Sequence, residues 1–150
     1  MPHALKSAAG AIGWITVSGV VEMADVSKLI KKADDAIERR NYDLAIECYI
    51  LALEVDFANI DARTKLRAAQ LRSFAEKGVS PFVGTLKGIP QIAAAFIHGA
   101  LKHHEKAIVA CEYALRTNPS NIPVLKMIIS NAEALENGQE LACWQRGEIL

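Results

Sequence analysis

His98, His103, His104 and Glu105 are the densest group in this 150-residue chain able to ligate a metal or move a proton. A helix that holds zinc usually presents two ligands at i and i+4. From His98 the other two histidines stand five and six residues away, and no Cys is near in sequence. The group therefore reads as buried or turn-capping, not as a metal centre or a catalytic base. A G-x-S-x-G nucleophile elbow is missing, and Gly78, Gly84 and Gly88 do not lead from a strand into a helix as a phosphate-cradling loop would. These glycines read as loop punctuation. The expectation is of no catalytic, cofactor or metal residues and of a non-enzymatic role.

Charge narrows the partners. The formal net charge is zero, so no global field draws nucleic acid, and nucleic acid is not expected as a partner. Arg63, Lys65, Arg67 and Arg72 make one segment locally basic, with Arg63, Arg67 and Gln70 on one side of a helix. A solvated face is the ordinary reading, and contact with an acidic peptide is the functional one. Cys48, Cys111 and Cys143 are odd in number and lack a C-x-x-C spacing, and Cys48 and Cys111 read as reduced core residues, which favours a reducing compartment.

The elements that carry these residues are helical, and two of them repeat. Tyr42 to Phe57 reads YDLAIECYILALEVDF and His104 to Pro119 reads HEKAIVACEYALRTNP; at an offset of 62 they match at Ala45/Ala107, Ile46/Ile108, Ala52/Ala114 and Leu53/Leu115. Two Ala-apolar pairs seven residues apart make a helix face that lets a neighbouring backbone come close. Both segments resemble the second helix of a tetratricopeptide repeat, with its aromatic, Ala-Ile, aromatic, Ala-Leu and closing Pro; Phe57 replaces that Pro in the first copy. The fold that this resemblance implies is all-α, antiparallel hairpins stacked as a short, degenerate solenoid.

The same resemblance implies a protein-binding adaptor or scaffold with no cofactor. In that family the first helix of each pair lines a concave groove that takes a partner's peptide or helix. Carried over helix by helix, the groove positions are Ile30, Asp34, Ile37, Leu71, Arg72, Ile92, Phe96, Lys126 and Ser130. Of these, Asp34, Ile37, Leu71, Arg72, Ile92, Phe96 and Lys126 are the expected partner contacts. Apolar Ile37, Leu71, Ile92 and Phe96 beside basic Arg72 and Lys126 suit an amphipathic segment with hydrophobic anchors and some acidic residues. Ile30 and Asp34 stand where the chaperone-binding branch has its carboxylate clamp, which disfavours that ligand.

Along the chain, residues 1–22 differ in composition from the rest. Their uncharged run from Ser7 to Val21 reads as a signal or anchor, as sequence upstream of a true start at Met23, or as part of the fold. Residues 23–150 form the helical domain. Helices are predicted from about Asp25 to Arg40, from Tyr42 to Asp56 behind an Asn41 cap, and from Ile60 to Phe74. An insertion at about 75–89 follows, with a short helix from Pro81 to Leu86. Then come helices over 90–103, 104–117 and from Asn121 to the Asn137-Gly138 turn. The run from Gly88 to Leu101 carries no Asp, Glu, Lys or Arg, which predicts a helix buried in the middle of the stack. A last helix begins near Leu141 without a closing Pro; its Ile149-Leu150 end supplies the alternative role of a self-associating subunit. The compartment expected is cytoplasmic, or exported or membrane-anchored through residues 1–22.

Overall fold

The computed structural model describes residues 25–150, so the expectations for residues 1–22 and for a start at Met23 fall outside it. Seven helices and no strands occur among the described residues. They are α1 (25–38), α2 (Tyr42–Val55), α3 (Ile60–Lys77), α4 (Pro81–Ala100), α5 (His104–Leu115), α6 (Ile122–Glu133) and α7 (Gln139–Ile149). Neighbours pack as α2 on α3, α4 on α5, α5 on α6 and α6 on α7, and α2 also meets α5. The chain is all-α and repeat-like. No helix among the described residues is long and apolar enough to cross a membrane.

Local chemistry fixes most boundaries. Asn41, Asn59, Ser80 and Asn121 each accept a backbone N–H from three residues on, at 3.0–3.3 Å, and so cap α2, α3, α4 and α6. Pro81 and Pro123 fall in first turns, where no N–H is needed. Gly78, at φ +59°, closes α3 in the left-handed conformation.

Two turns repeat each other where the side chains do not. After α1, Arg40 has φ +57°, Arg40 N donates to Ile37 O and Asn41 N donates to Ala36 O. After α4, Lys102 has φ +61°, Lys102 N donates to Gly99 O and His103 N donates to His98 O. Both are Schellman closures with a long basic side chain where Gly is usual. They stand 62 residues apart, so the repeat includes the turns as well as the second helices. Hairpin α1/α2 thus corresponds to α4/α5, and α3 is the additional helix between them.

The core has two parts. Ala33, Ala36, Ala45, Ile46, Tyr49, Ile50, Ala62, Leu66 and Ala69 join α1, α2 and α3. Ala95, Ile108, Cys111, Leu115, Leu125, Ile128, Leu141 and Ala142 join α4 to α7. The four repeat alanines, Ala45, Ala52, Ala107 and Ala114, are buried, as the matched face requires. Between α2 and α5, Glu47 accepts from Tyr113 Oη at 3.2 Å and from Arg116 Nη1 at 3.1 Å.

Two expectations are corrected by α4. The insertion is not a loop with a short helix: α3 runs on to Lys77, and Pro81 to Ala100 is one helix that continues through Pro90. Gly84 and Gly88 are its packing face. A Cβ on Gly84 would overlap the Thr117 carbonyl, and one on Gly88 would lie 2.7 Å from Thr117 Oγ1. Asn118 Nδ2 donates to Thr85 Oγ1 at 2.9 Å and so fastens the same contact. Tertiary packing of this kind outweighs the poor helix propensity of Gly and Pro. The second correction concerns burial. The half of α4 after Pro90 lies at an edge of the bundle, and only Ala95 there is fully buried.

Candidate interaction surfaces

The apolar residues of α4 that do not meet α5 are open to solvent. Phe82 is 72% exposed and Phe96 71%, and Val83, Leu86, Ile89, Ile97 and Leu101 at the helix end are exposed with them. Large apolar side chains singly on a surface are ordinary, but seven on one helix form a continuous patch. Lys87 is the one Asp, Glu, Lys or Arg in α4. The helix is asymmetric by residue size: Gly84, Gly88 and Ala95 fit it closely onto its neighbour, while Phe, Leu and Ile face outward.

The basic side of α3 proves to be interior. Arg63 is 1% exposed and Arg67 6%, and Gln70 is fully buried. Arg63 Nη1 donates to Glu112 Oε1 of α5, and Arg63 Nη2 donates to the Phe57 carbonyl at 2.8 Å. Arg67 Nη1 donates to Gln70 Oε1 at 2.7 Å, and Arg67 Nη2 to Gln145 Oε1 of α7 at 3.3 Å. Gln70 Nε2 reaches the Glu112 carbonyl at 3.1 Å. Burial pushes the Arg63 pKa down, against the opposing pull of Glu112. This polar layer ties α3 to α5 and α7, so the solvated-face and acidic-peptide readings of Arg63 and Arg67 do not hold. Arg72, on another side of α3, is exposed.

The expected partner contacts are scattered among different environments. Asp34 accepts from Tyr49 Oη at 2.5 Å and from Lys65 Nζ at 3.0 Å. Burial opposes its ionisation, but those two donors outweigh it and hold the carboxyl below its ordinary range. Ile37 packs on the α1–α3 core and Ile92 on the α4–α7 core. Leu71, Phe96 and Lys126 are exposed.

A cleft of about 480 Å³ opens between α2, α4 and α5, lined by Leu53, Phe57, Ala94, Val109 and Tyr113 with Glu54, His98, Glu105 and Lys106. None of the seven expected contacts lines it. His98 Nδ1 is buried beside it without a partner, and the His98 and His103 rings are 6.2 Å apart. His104 Nδ1 pairs with Asn131 Oδ1 at 2.8 Å, which ties the start of α5 to α6. No group of three or more His, Cys, Asp or Glu among the described residues is arranged to hold a metal ion. Burial pushes the Tyr113 hydroxyl up to about 12, with the Glu47 carboxylate adding to the shift.

Comparison of the chain with protein-family models, with curated proteins and with solved structures finds no match.

An uncharged helix predicts central burial, and α4 departs from that because only one of its sides meets a neighbour. The sequence carries the signal: all the glycines of α4, and the buried Ala95, lie on one side, and both phenylalanines lie on the other.

Proposed function

We propose that this chain is a protein-binding module of the tetratricopeptide kind, an adaptor rather than an enzyme, and that the outward face of α4 is its main contact surface. The observation that carries the reading is the patch from Phe82 to Leu101. At roughly 180–200 Å² for a fully open large side chain, its seven members leave roughly 700 Å² of mostly apolar surface. That exceeds the roughly 300–600 Å² of the largest patch on a typical monomer. Support for the family comes from α2 and α5, whose matched positions are buried and which pack together, and from the equivalent turns at Arg40 and Lys102. The protein fits a reducing compartment, since Cys48, Cys111 and Cys143 are all free.

The family's concave groove gives way to this face within the reading. Phe96 and Ile92 belong to α4 and keep their place as contacts, Phe96 within the patch and Ile92 partly buried on the same helix. Asp34 is engaged by Tyr49 and Lys65 and is dropped.

The test uses the full chain as bait beside a Phe82→Ser, Phe96→Ser variant. Both side chains are mostly in water, so the variant keeps its helicity and melting point. Proteins retained by the wild type and lost by the variant, identified by mass spectrometry, support the reading. An identical retained set with an intact fold overturns it.

A further inference from the structure

The exposed face of α4 has an internal symmetry. Phe82, Leu86, Ile89, Ala93, Phe96 and Ala100 follow one another at alternating steps of four and three, the spacing of a coiled-coil seam, and all six are exposed. Large and small residues are not distributed at random along the seam. Reflected about Gln91, Phe82 falls on Ala100, Leu86 on Phe96, and Ile89 on Ala93. Turned end for end, the seam sets a large side chain opposite Ala at four of its six places, and Leu against Phe at the other two.

We infer that α4 pairs antiparallel with α4 of a second copy of this chain about a two-fold axis near Gln91. The inference rests on the α4 face being the contact surface and names what covers it. A closed two-fold contact requires one patch to be complementary to itself when reversed, and the Phe/Ala, Leu/Phe and Ile/Ala alternation meets that condition. A parallel pairing does not: it sets Phe82 against Phe82 and Phe96 against Phe96, leaving voids at Ala93 and Ala100. The area fits a pairing that dissociates on dilution: the four large seam residues offer roughly 450 Å² from each copy at the same area per side chain, at the low end of specific interfaces, and Val83, Ile97 and Leu101 flank them. Charge does not oppose it. Lys87 is off the seam, and the reflection does not set it against Lys87 of the other copy. The distance along the helix from Phe82 to Ala100 is about 27 Å at ~1.5 Å per residue, long enough for several turns of contact.

Two measurements test this on the full chain. Light scattering across a concentration series is expected to give the mass of a dimer that dissociates on dilution. A Leu86→Glu, Phe96→Glu variant, which sets like charges opposite each other across the axis, is expected to be monomeric with unchanged helicity. Geometry is read separately in a Cys143→Ser background, which removes the exposed thiol. Chains carrying Phe82→Cys are mixed with chains carrying Ala100→Cys and oxidised. A disulfide-linked dimer is expected in the mixture and in neither population alone. Cross-linking of Phe82→Cys chains with themselves overturns the antiparallel arrangement. A wild type that is monomeric throughout the series overturns the second copy as occupant; the retained set in the bait experiment then decides separately whether the α4 face binds another protein. A dimer that survives the double Glu substitution overturns both the pairing and the choice of face.

Discussion

The Arg63 guanidinium of α3 donates to the Glu112 carboxylate of α5 across 49 residues of chain, with both side chains almost wholly out of water. A second guanidinium, Arg67, lies 3.9 Å from the other carboxylate oxygen, so one buried acid serves two buried bases. Removing that acid leaves two positive charges without compensation in a poor solvent for them. Glu112→Gln is expected to destabilise the fold by about 3–5 kcal/mol. Arg67→Met, which removes the surplus charge, is expected to cost distinctly less. Urea unfolding of the two variants checks the order, and equal losses would deny the charge imbalance its role.

Arg40 and Lys102 hold left-handed backbone that Gly adopts freely. Arg40→Gly and Lys102→Gly are each expected to stabilise the protein, or leave it unchanged within about 1 kcal/mol, because relief of strain offsets the added freedom of the unfolded chain. An Ala at Gly78 is expected to be destabilising by about 1 kcal/mol, for φ alone, since nothing lies within 4 Å of its added methyl. Thermal melts of the three variants test the set.

At Gly84 the reasoning reverses. Ala is the better helix former by about 1 kcal/mol, yet its methyl would meet the Thr117 carbonyl. Gly84→Ala is expected to destabilise by about 1–3 kcal/mol through overpacking against backbone that cannot yield. A rise in melting temperature would show that α4 does not lie so close to the end of α5.

Acid should loosen the α1–α3 end first. The Lys77 ammonium holds the Asp43 carboxyl below its ordinary range, against burial and with help from Arg116; Tyr49 and Lys65 do the same for Asp34. A carboxyl with a lowered folded-state pKa contributes stability above its unfolded value, near 4, and loses it as pH falls through the folded value. Stability is therefore expected to fall from about pH 4 downward, and less steeply in an Asp34→Asn, Asp43→Asn variant. Both groups are half open to water, so the effect is modest. Alkali acts through Tyr49, whose hydroxyl is raised by burial and by Asp34. Its contribution holds below about pH 10 and declines above it.

The three thiols should separate by reactivity. Cys143 is exposed, whereas Cys48 and Cys111 are buried and burial pushes Cys111 up to about 12. One thiol per chain is expected to react quickly with a disulfide reagent at neutral pH, and the other two only on unfolding. Fast labelling of all three would contradict the packing of α2 and α5.

Much of the helical plan was legible in the sequence, and the reasons are local. Asn41 and Asn121 announced helix starts by capping chemistry, and the Ala-apolar pairs of α2 and α5 announced a buried face. What failed depended on neighbours. Arg63 and Gln70 have the composition of a solvent face, and only the arrival of Glu112 from α5 makes their burial possible. Gly84 and Gly88 punctuate a sequence in the same way whether they break a helix or let one lie close. The sidedness of α4 is written in its glycines and phenylalanines, but that the phenylalanine side meets no neighbour depends on α4 standing at an edge, which the helix itself does not encode.

The two apolar clusters meet across a layer of amides and charges, and this has a consequence for how the chain assembles. Hairpins α4/α5 and α6/α7 can form from contacts close in sequence, as can α1 with α2 and α3, before the two halves dock. Grease alone would accept many dockings. With Glu112 in the seam, sliding α3 by one turn along α5 strands guanidinium groups against hydrocarbon, so wrong registers are penalised more than the right one is rewarded. The polar layer is expected to select the docking register as the chain folds. A chain with Arg63, Arg67 and Glu112 replaced together by apolar residues of like volume should hold together at least as firmly, yet refold through a slow phase absent from the wild type, as misdocked halves separate and try again.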